Sequence, residues 1–190
     1  MSHRENRVEW NAFINALKQE VKPALGCTEP VSVALACAVA AQQLPGAIVR
    51  IEVAVSPNLM KNGMGVTIPG TGMTGLPIAA ALGAIAGDPQ AKLEVLKKAT
   101  KREINAARAL LEVGAVRVSL QEPCDEIIFV RAKVYAGDQH ATVTIVGDHT
   151  NVVAIEKMGQ SLFIKPENNT CEDTINPLDR VASSSLRDIY

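Results

Sequence analysis

The chain has 190 residues, 47% of them apolar and 3% aromatic, with 19 basic and 20 acidic side chains and a net charge of −1. That length fits one domain with an appendage at most, and so few aromatics leave Ala, Val, Leu and Ile to build the core. No basic stripe with interleaved aromatics is present, which excludes nucleic acid as an expected partner, and no apolar run reaches the roughly 18 to 20 residues of a membrane span. The polar start, Met1 to Arg7, precedes no signal-type apolar stretch. The cysteines at 27, 37, 124 and 171 form neither a CxxC pair nor a zinc-like spacing. Reduced thiols and a cytoplasmic location are therefore expected.

Trp10, Phe13, Ile14, Leu17 and Val21 recur at helical spacing and predict an amphipathic helix over about 7–22. The next stretch, Pro23-Ala24-Leu25-Gly26-Cys27-Thr28-Glu29-Pro30, interrupts it with a proline and a glycine, and a proline opens the following helix. Cys27 and Glu29 thus fall in a short turn before a helix N-terminus, whose unpaired N–H groups favour negative charge. A thiol in such a place is a candidate base or nucleophile. The competing reading is core filler, since free cysteine is among the most buried residue types. Cys37, inside Val33-Ala34-Leu35-Ala36-Cys37-Ala38-Val39-Ala40, is read that way.

Residues 30–44 read as a nearly all-apolar helix, and Val49, Ile51, Val53 and Val55 alternate with other residues as in a half-buried strand. The glycine-rich stretch 56–75 carries too many glycines and polar groups for a core element. Its Gly70-Thr71-Gly72-Met73-Thr74-Gly75 satisfies GxGxxG, but no strand runs into it and no Gly-Lys-Ser or Gly-Lys-Thr follows. A small anionic substrate such as an amino-acid carboxylate fits better, with Asn58, Lys61, Asn62 and Thr71 as donors. Without that loop, Lys61 would read as a solvated surface lysine.

Helices are predicted over 76–86, 89–99 and 101–113, then a strand over 116–120. Glu122-Pro123-Cys124-Asp125-Glu126 sets a thiol among three carboxylates, so Cys124 is a weak metal-ligand candidate against the simpler reading of a charged turn. Strands at about 127–135, 140–146, 152–157 and 161–164, with turn residues between them, predict an antiparallel meander. His149-Thr150-Asn151 lies in one of those turns and either orients a substrate or satisfies its own backbone. Strands gathered after helices argue an α+β fold, with helices packed on a mostly antiparallel sheet. The pattern fails after 165. A polar connector covers 168–174, and Ser185-Leu186-Arg187-Asp188 has the form of a capping box opening a further helix. The expected division is an α+β domain over 1–165 and, over 166–190, a connector with the start of another domain; a frayed tail is the alternative.

Four strings, PALGCTEP at 23–30, SPNLMKNGMGVTIPGTGMTGLPIAAALGA at 56–84, EPCDE at 122–126 and GDHTN at 147–151, together resemble the L-cysteine desulfidase family, which is related to the iron–sulfur L-serine dehydratases. The resemblance implies a carbon–sulfur lyase that converts L-cysteine to pyruvate, ammonia and hydrogen sulfide. It implies a [4Fe–4S] cluster whose open iron binds the substrate sulfur while a base removes the α-proton. Cys27 matches the family cysteine proposed as that base. The residues expected to bind substrate beside it, from the reading of the loops and turns, are Glu29, Asn58, Lys61, Asn62, Thr71, His149 and Asn151. Family members are much longer and hold their cluster cysteines in a downstream helical domain. This chain is then expected to be the N-terminal part, to bind no cluster alone, and to have that C-terminal domain or a second copy as partner. The turns at Cys27, 58–72, Cys124 and His149 are expected to converge on one face. Two alternatives stand beside this reading: an L-serine dehydratase-type lyase, and a non-catalytic binding or assembly module, or inactive fragment, when alone.

Overall fold

The computed structural model describes residues 3–166, with the side chains of 3–9, 19 and 20 left aside. Ala24–Pro166 forms one compact unit, and α1 (His3–Glu20) belongs to a second. The expectations for Cys171 and for the capping box at Ser185 lie outside the described residues.

Helix α2 (Thr28–Gln42) runs through the middle of the larger unit, with Pro30 to Ala38 and Ala40 all buried. A helix apolar on every side needs neighbours on every side. They are α4 (Leu76–Ala86), and strands β5 (Phe129–Ala136) and β6 (Gln139–Val146). The crossing of α2 and α4 depends on small residues. A Cβ on Gly83 would stand 2.3 Å from the Ala34 carbonyl oxygen, and one on Gly87 would stand 2.5 Å from the Ala38 Cβ. Glycines four apart therefore meet alanines four apart, and the two backbones touch. Helix α5 (Lys101–Glu112) packs on α4 and opens with a capping box. There Thr100 Oγ1 accepts from the Glu103 amide, and the Glu103 carboxylate accepts from the Thr100 amide at 2.7 Å.

The sheet has the order β4-β1-β5-β6-β7-β8, adding β1 (Arg50–Val55), β4 (Val116–Leu120), β7 (Val152–Lys157) and β8 (Gln160–Ile164). Among the described residues only β1 and β4 pair in parallel, and the other strand pairs are antiparallel. The fold is α+β with a C-terminal meander, as the grouping of strands predicts. Period-2 alternation decides the faces. Ile51, Val53 and Val55 of β1, Val130, Ala132 and Val134 of β5, and Ala141, Val143 and Ile145 of β6 are buried beneath the helices. Large residues often meet small ones across strands, as in Val53↔Ala132↔Val143.

Three expectations change. The segment 89–99 is not a regular helix but a 3₁₀ turn over Pro89–Glu94, broken at Lys92 where φ is +49°. Asp88 caps it, and the Asp88 amide bonds the Val95 carbonyl at 3.0 Å, closing the segment on itself. This compact form buries Val95 and Leu96. Second, the glycine-rich stretch reaches the core. It folds as α3 (Pro57–Gly63) and a hairpin of β2 (Thr67–Ile68) and β3 (Met73–Thr74), with Leu59, Ile68 and Thr71 buried. Third, α2 begins at Thr28 rather than Pro30, so Cys27 is its N-cap.

Candidate functional site

Cys27 has extended backbone angles, φ −72° and ψ 145°, and its side chain makes no capping hydrogen bond. The thiol is exposed. Two tethers set its turn. The Leu25 amide donates to the Leu93 carbonyl at 3.2 Å. Gly26 adopts φ +89°, which a side chain would resist, and a Cβ there would stand 3.3 Å from the Pro69 ring. Cys27 consequently lines a seam with Leu25, Pro30, Thr67, Ile68 and Pro69, so the thiol turn and the β2–β3 hairpin are direct neighbours. The seam holds only about 10 Å³, roughly one water, and encloses no substrate by itself.

The GxGxxG string forms the hairpin tip rather than a phosphate loop. Thr71 is its lock: the hydroxyl donates to the Ile68 carbonyl at 2.8 Å and accepts from the Met73 amide at 3.0 Å. Arg108 of α5 donates to the Thr71 carbonyl from outside. Arg108 was not marked by any motif, because its role depends on α5 packing beside the hairpin. Asn58, Lys61 and Asn62 lie exposed on α3, whose start is fixed by Ser56. Buried Ser56 caps the Leu59 amide and donates its own hydroxyl proton to the Ile127 carbonyl at 2.7 Å. Glu29 sits half-buried in the first turn of α2, beside the thiol in sequence.

Backbone bonds gather the remaining candidates at one end of the sheet. The Ser56 amide donates to Phe129, the Gln121 amide to Val55 and the Gly147 amide to Ile128. The α3 entrance, the 121–128 connector carrying Cys124 and the Gly147–Asn151 turn therefore lie together at that end. Within the turn, Asn151 donates to the Val146 carbonyl at 2.7 Å and accepts from Lys165 at 2.6 Å. His149 is half-buried there. Cys124 is also half-buried and donates weakly to the Glu126 carbonyl at 3.7 Å.

A [4Fe–4S] cluster needs several converging thiolates. Cys37 is fully buried, ten residues along α2 from Cys27, hence about 15 Å away at 1.5 Å per residue. Among the described residues no three His, Cys, Asp or Glu side chains come together as a metal site. The described thiols do not fit that group. No helix among the described residues is long and apolar enough to cross a membrane.

An α+β unit with an exposed N-cap thiol against a glycine-rich hairpin is the class of protein these features define. The chain is similar to UPF0597 protein YhaM of Salmonella newport (strain SL254), of Salmonella typhi and of Salmonella typhimurium (strain LT2). Each is 58% identical over 180 residues, covering 95% of this chain and 41% of the relative. The chain thus spans less than half the length of the curated relatives it matches. No family model matches it, and no solved structure matches it.

Proposed function

We propose that this chain is the base-bearing part of a carbon–sulfur lyase that eliminates hydrogen sulfide from L-cysteine. The observation that carries the reading is the seating of the exposed Cys27 thiol at the α2 N-cap, against the hairpin of the glycine-rich segment. In the reaction, Cys27 Sγ takes the α-proton, the Cβ–S bond breaks and hydrosulfide leaves. The resulting 2-aminoacrylate gains a water and releases ammonia, giving pyruvate. Asn58, Lys61 and Asn62 on exposed α3, with Glu29, His149 and Asn151, are proposed to meet the substrate carboxylate and amino group; Thr71 and Arg108 hold the hairpin that shapes their side of the site. The cluster proposed to activate the leaving sulfur, and the walls that enclose the substrate, are assigned to the part of the longer relatives outside the match. On this reading the 190-residue chain turns over nothing alone.

The test is made in a full-length protein reconstituted with iron and sulfide without oxygen, following sulfide and pyruvate from L-cysteine. Cys27→Ala is expected to lower kcat by about 10²-fold or more, the scale of a lost general base. Wild-type turnover in that variant would remove Cys27 from the mechanism. Faster turnover of L-serine than of L-cysteine would move the assignment to the dehydratase type.

A further inference from the structure

The face of the sheet opposite α2 and α4 is open and carries a depression of about 650 Å³. Its walls come from two rows of cross-strand neighbours. The first row is Arg117–Glu52–Lys133–Thr142–Glu156, and the second is Ser119–Ala54–Arg131–Thr144. Small residues in the second row leave space that the long side chains of both rows surround. An outward sheet face is ordinarily polar with charges paired or solvated. Here the pairing is lopsided.

Glu52 is already committed, since its carboxylate accepts from Arg50 at 2.9 Å and from the Tyr135 hydroxyl at 2.8 Å. Lys133 stands opposite Glu52 in register but forms no ion pair with it, and its ammonium lies 5.3 Å from the Tyr135 ring. Arg131 donates to Gln121, a neutral acceptor, at 3.1 Å. Among the described residues no carboxylate lies within ion-pair distance of Arg117, Arg131 or Lys133. The hydroxyls of Thr142 and Thr144 stand beside them without a protein partner among the described residues. Cations thus outnumber carboxylates on this face, in a chain whose overall charge is −1.

We propose that this face binds a small, multiply charged anion carrying at least two carboxylate or phosphate groups. Arg117, Arg131 and Lys133 are its charge partners, and Thr142 and Thr144 donate further hydrogen bonds. The depression has the size of a small-molecule site, on the order of 300 to 1,000 Å³. Glu52, engaged by Arg50 and Tyr135, lies between Arg117 and Lys133, and Glu156 closes the same row beyond Thr142, so the cations form no continuous stripe for an extended phosphate backbone and suit a compact anion. The Arg50 guanidinium lies over the Tyr135 ring, 3.8 Å from its centroid. The inference is independent of the lyase reading, because it uses none of the residues around Cys27.

The test is titration of the full chain with citrate and with pyrophosphate at low ionic strength, followed by ¹⁵N–¹H NMR, with acetate and chloride as controls. Expected are saturable shifts confined to 117–119, 131–133 and 142–144, with a midpoint below about 1 mM. The two probes separate a carboxylate ligand from a phosphate ligand by which binds tighter. Arg131→Gln with Lys133→Gln should weaken binding about tenfold or more. Glu156→Gln, which removes a bounding negative charge, should tighten it, and a gain of affinity cannot come from misfolding. Shifts that do not saturate, that acetate reproduces, or that the double variant leaves unchanged would overturn the proposal. Saturation by an acidic peptide but by neither small anion would overturn it in favour of a protein partner.

Discussion

Two cysteines ten residues apart on one helix have opposite chemistry because the protein surrounds them differently. Cys27 stands at the tip, exposed, with its turn pinned by Leu93 and Pro69. Cys37 is fully buried, and burial alone pushes its thiol far above the ordinary range, since no partner offsets the lost solvation of the thiolate. Alkylation of the folded chain by iodoacetamide, read by peptide mapping, should therefore modify Cys27 and spare Cys37 until denaturant is added. Equal labelling of the two in the folded state would refute this placement of α2. Both environments were legible in sequence: Gly26 and Pro30 bracket one thiol, and an unbroken Ala/Val/Leu run surrounds the other. Arg108 was not, because a side chain that holds a distant carbonyl leaves no local pattern.

Among the elements, the contact of α2 with α4 is the one most sensitive to a single methyl group. Gly83→Ala would bring a Cβ to 2.3 Å from the Ala34 carbonyl oxygen and 2.5 Å from its Cα, and backbone cannot give way as a flexible side chain can. The helices have to separate, at a cost of about 1–3 kcal/mol or more, as for overpacked cores. Urea denaturation should show this as a lower midpoint with little change in slope. An unchanged or raised midpoint, as expected where alanine only improves helix propensity, would show that the helices are not in backbone contact. The strands and long helices could be read from period and punctuation, β1 and the meander most plainly. Composition misled where compactness overrode it. The 89–99 segment kept its apolar residues but used Asp88 and Lys92 to fold them into a tighter turn. The glycines of 56–75 suggested solvent, yet they provide the bends that let Leu59, Ile68 and Thr71 reach the core.

At the scale of the whole molecule, the sheet ends among the described residues at β8, and every residue of that strand is exposed. Leu162, Phe163 and Ile164 are 53%, 43% and 69% accessible. An apolar edge with free backbone groups is a template for another strand. Antiparallel pairing of two β8 strands about a two-fold axis would satisfy both copies at once. Light scattering at high concentration should then give the mass of a dimer, and Ile164→Lys should return a monomer by placing a charge on the edge. A strictly monomeric wild-type chain would count against this interface and leave the Cys27 reading untouched.

The burial of α2 has a mechanical consequence. Its sides are fixed against α4, β5 and β6, and the glycine–alanine contact at Gly83 and Gly87 leaves no slack for sliding or rolling. The sulfur at its tip is in effect mounted on a rigid post whose foundation is the hydrophobic centre of the fold. If Cys27 is the base of the proposed reaction, the groups that meet it have to move toward it, because the post can shift only if the centre itself repacks.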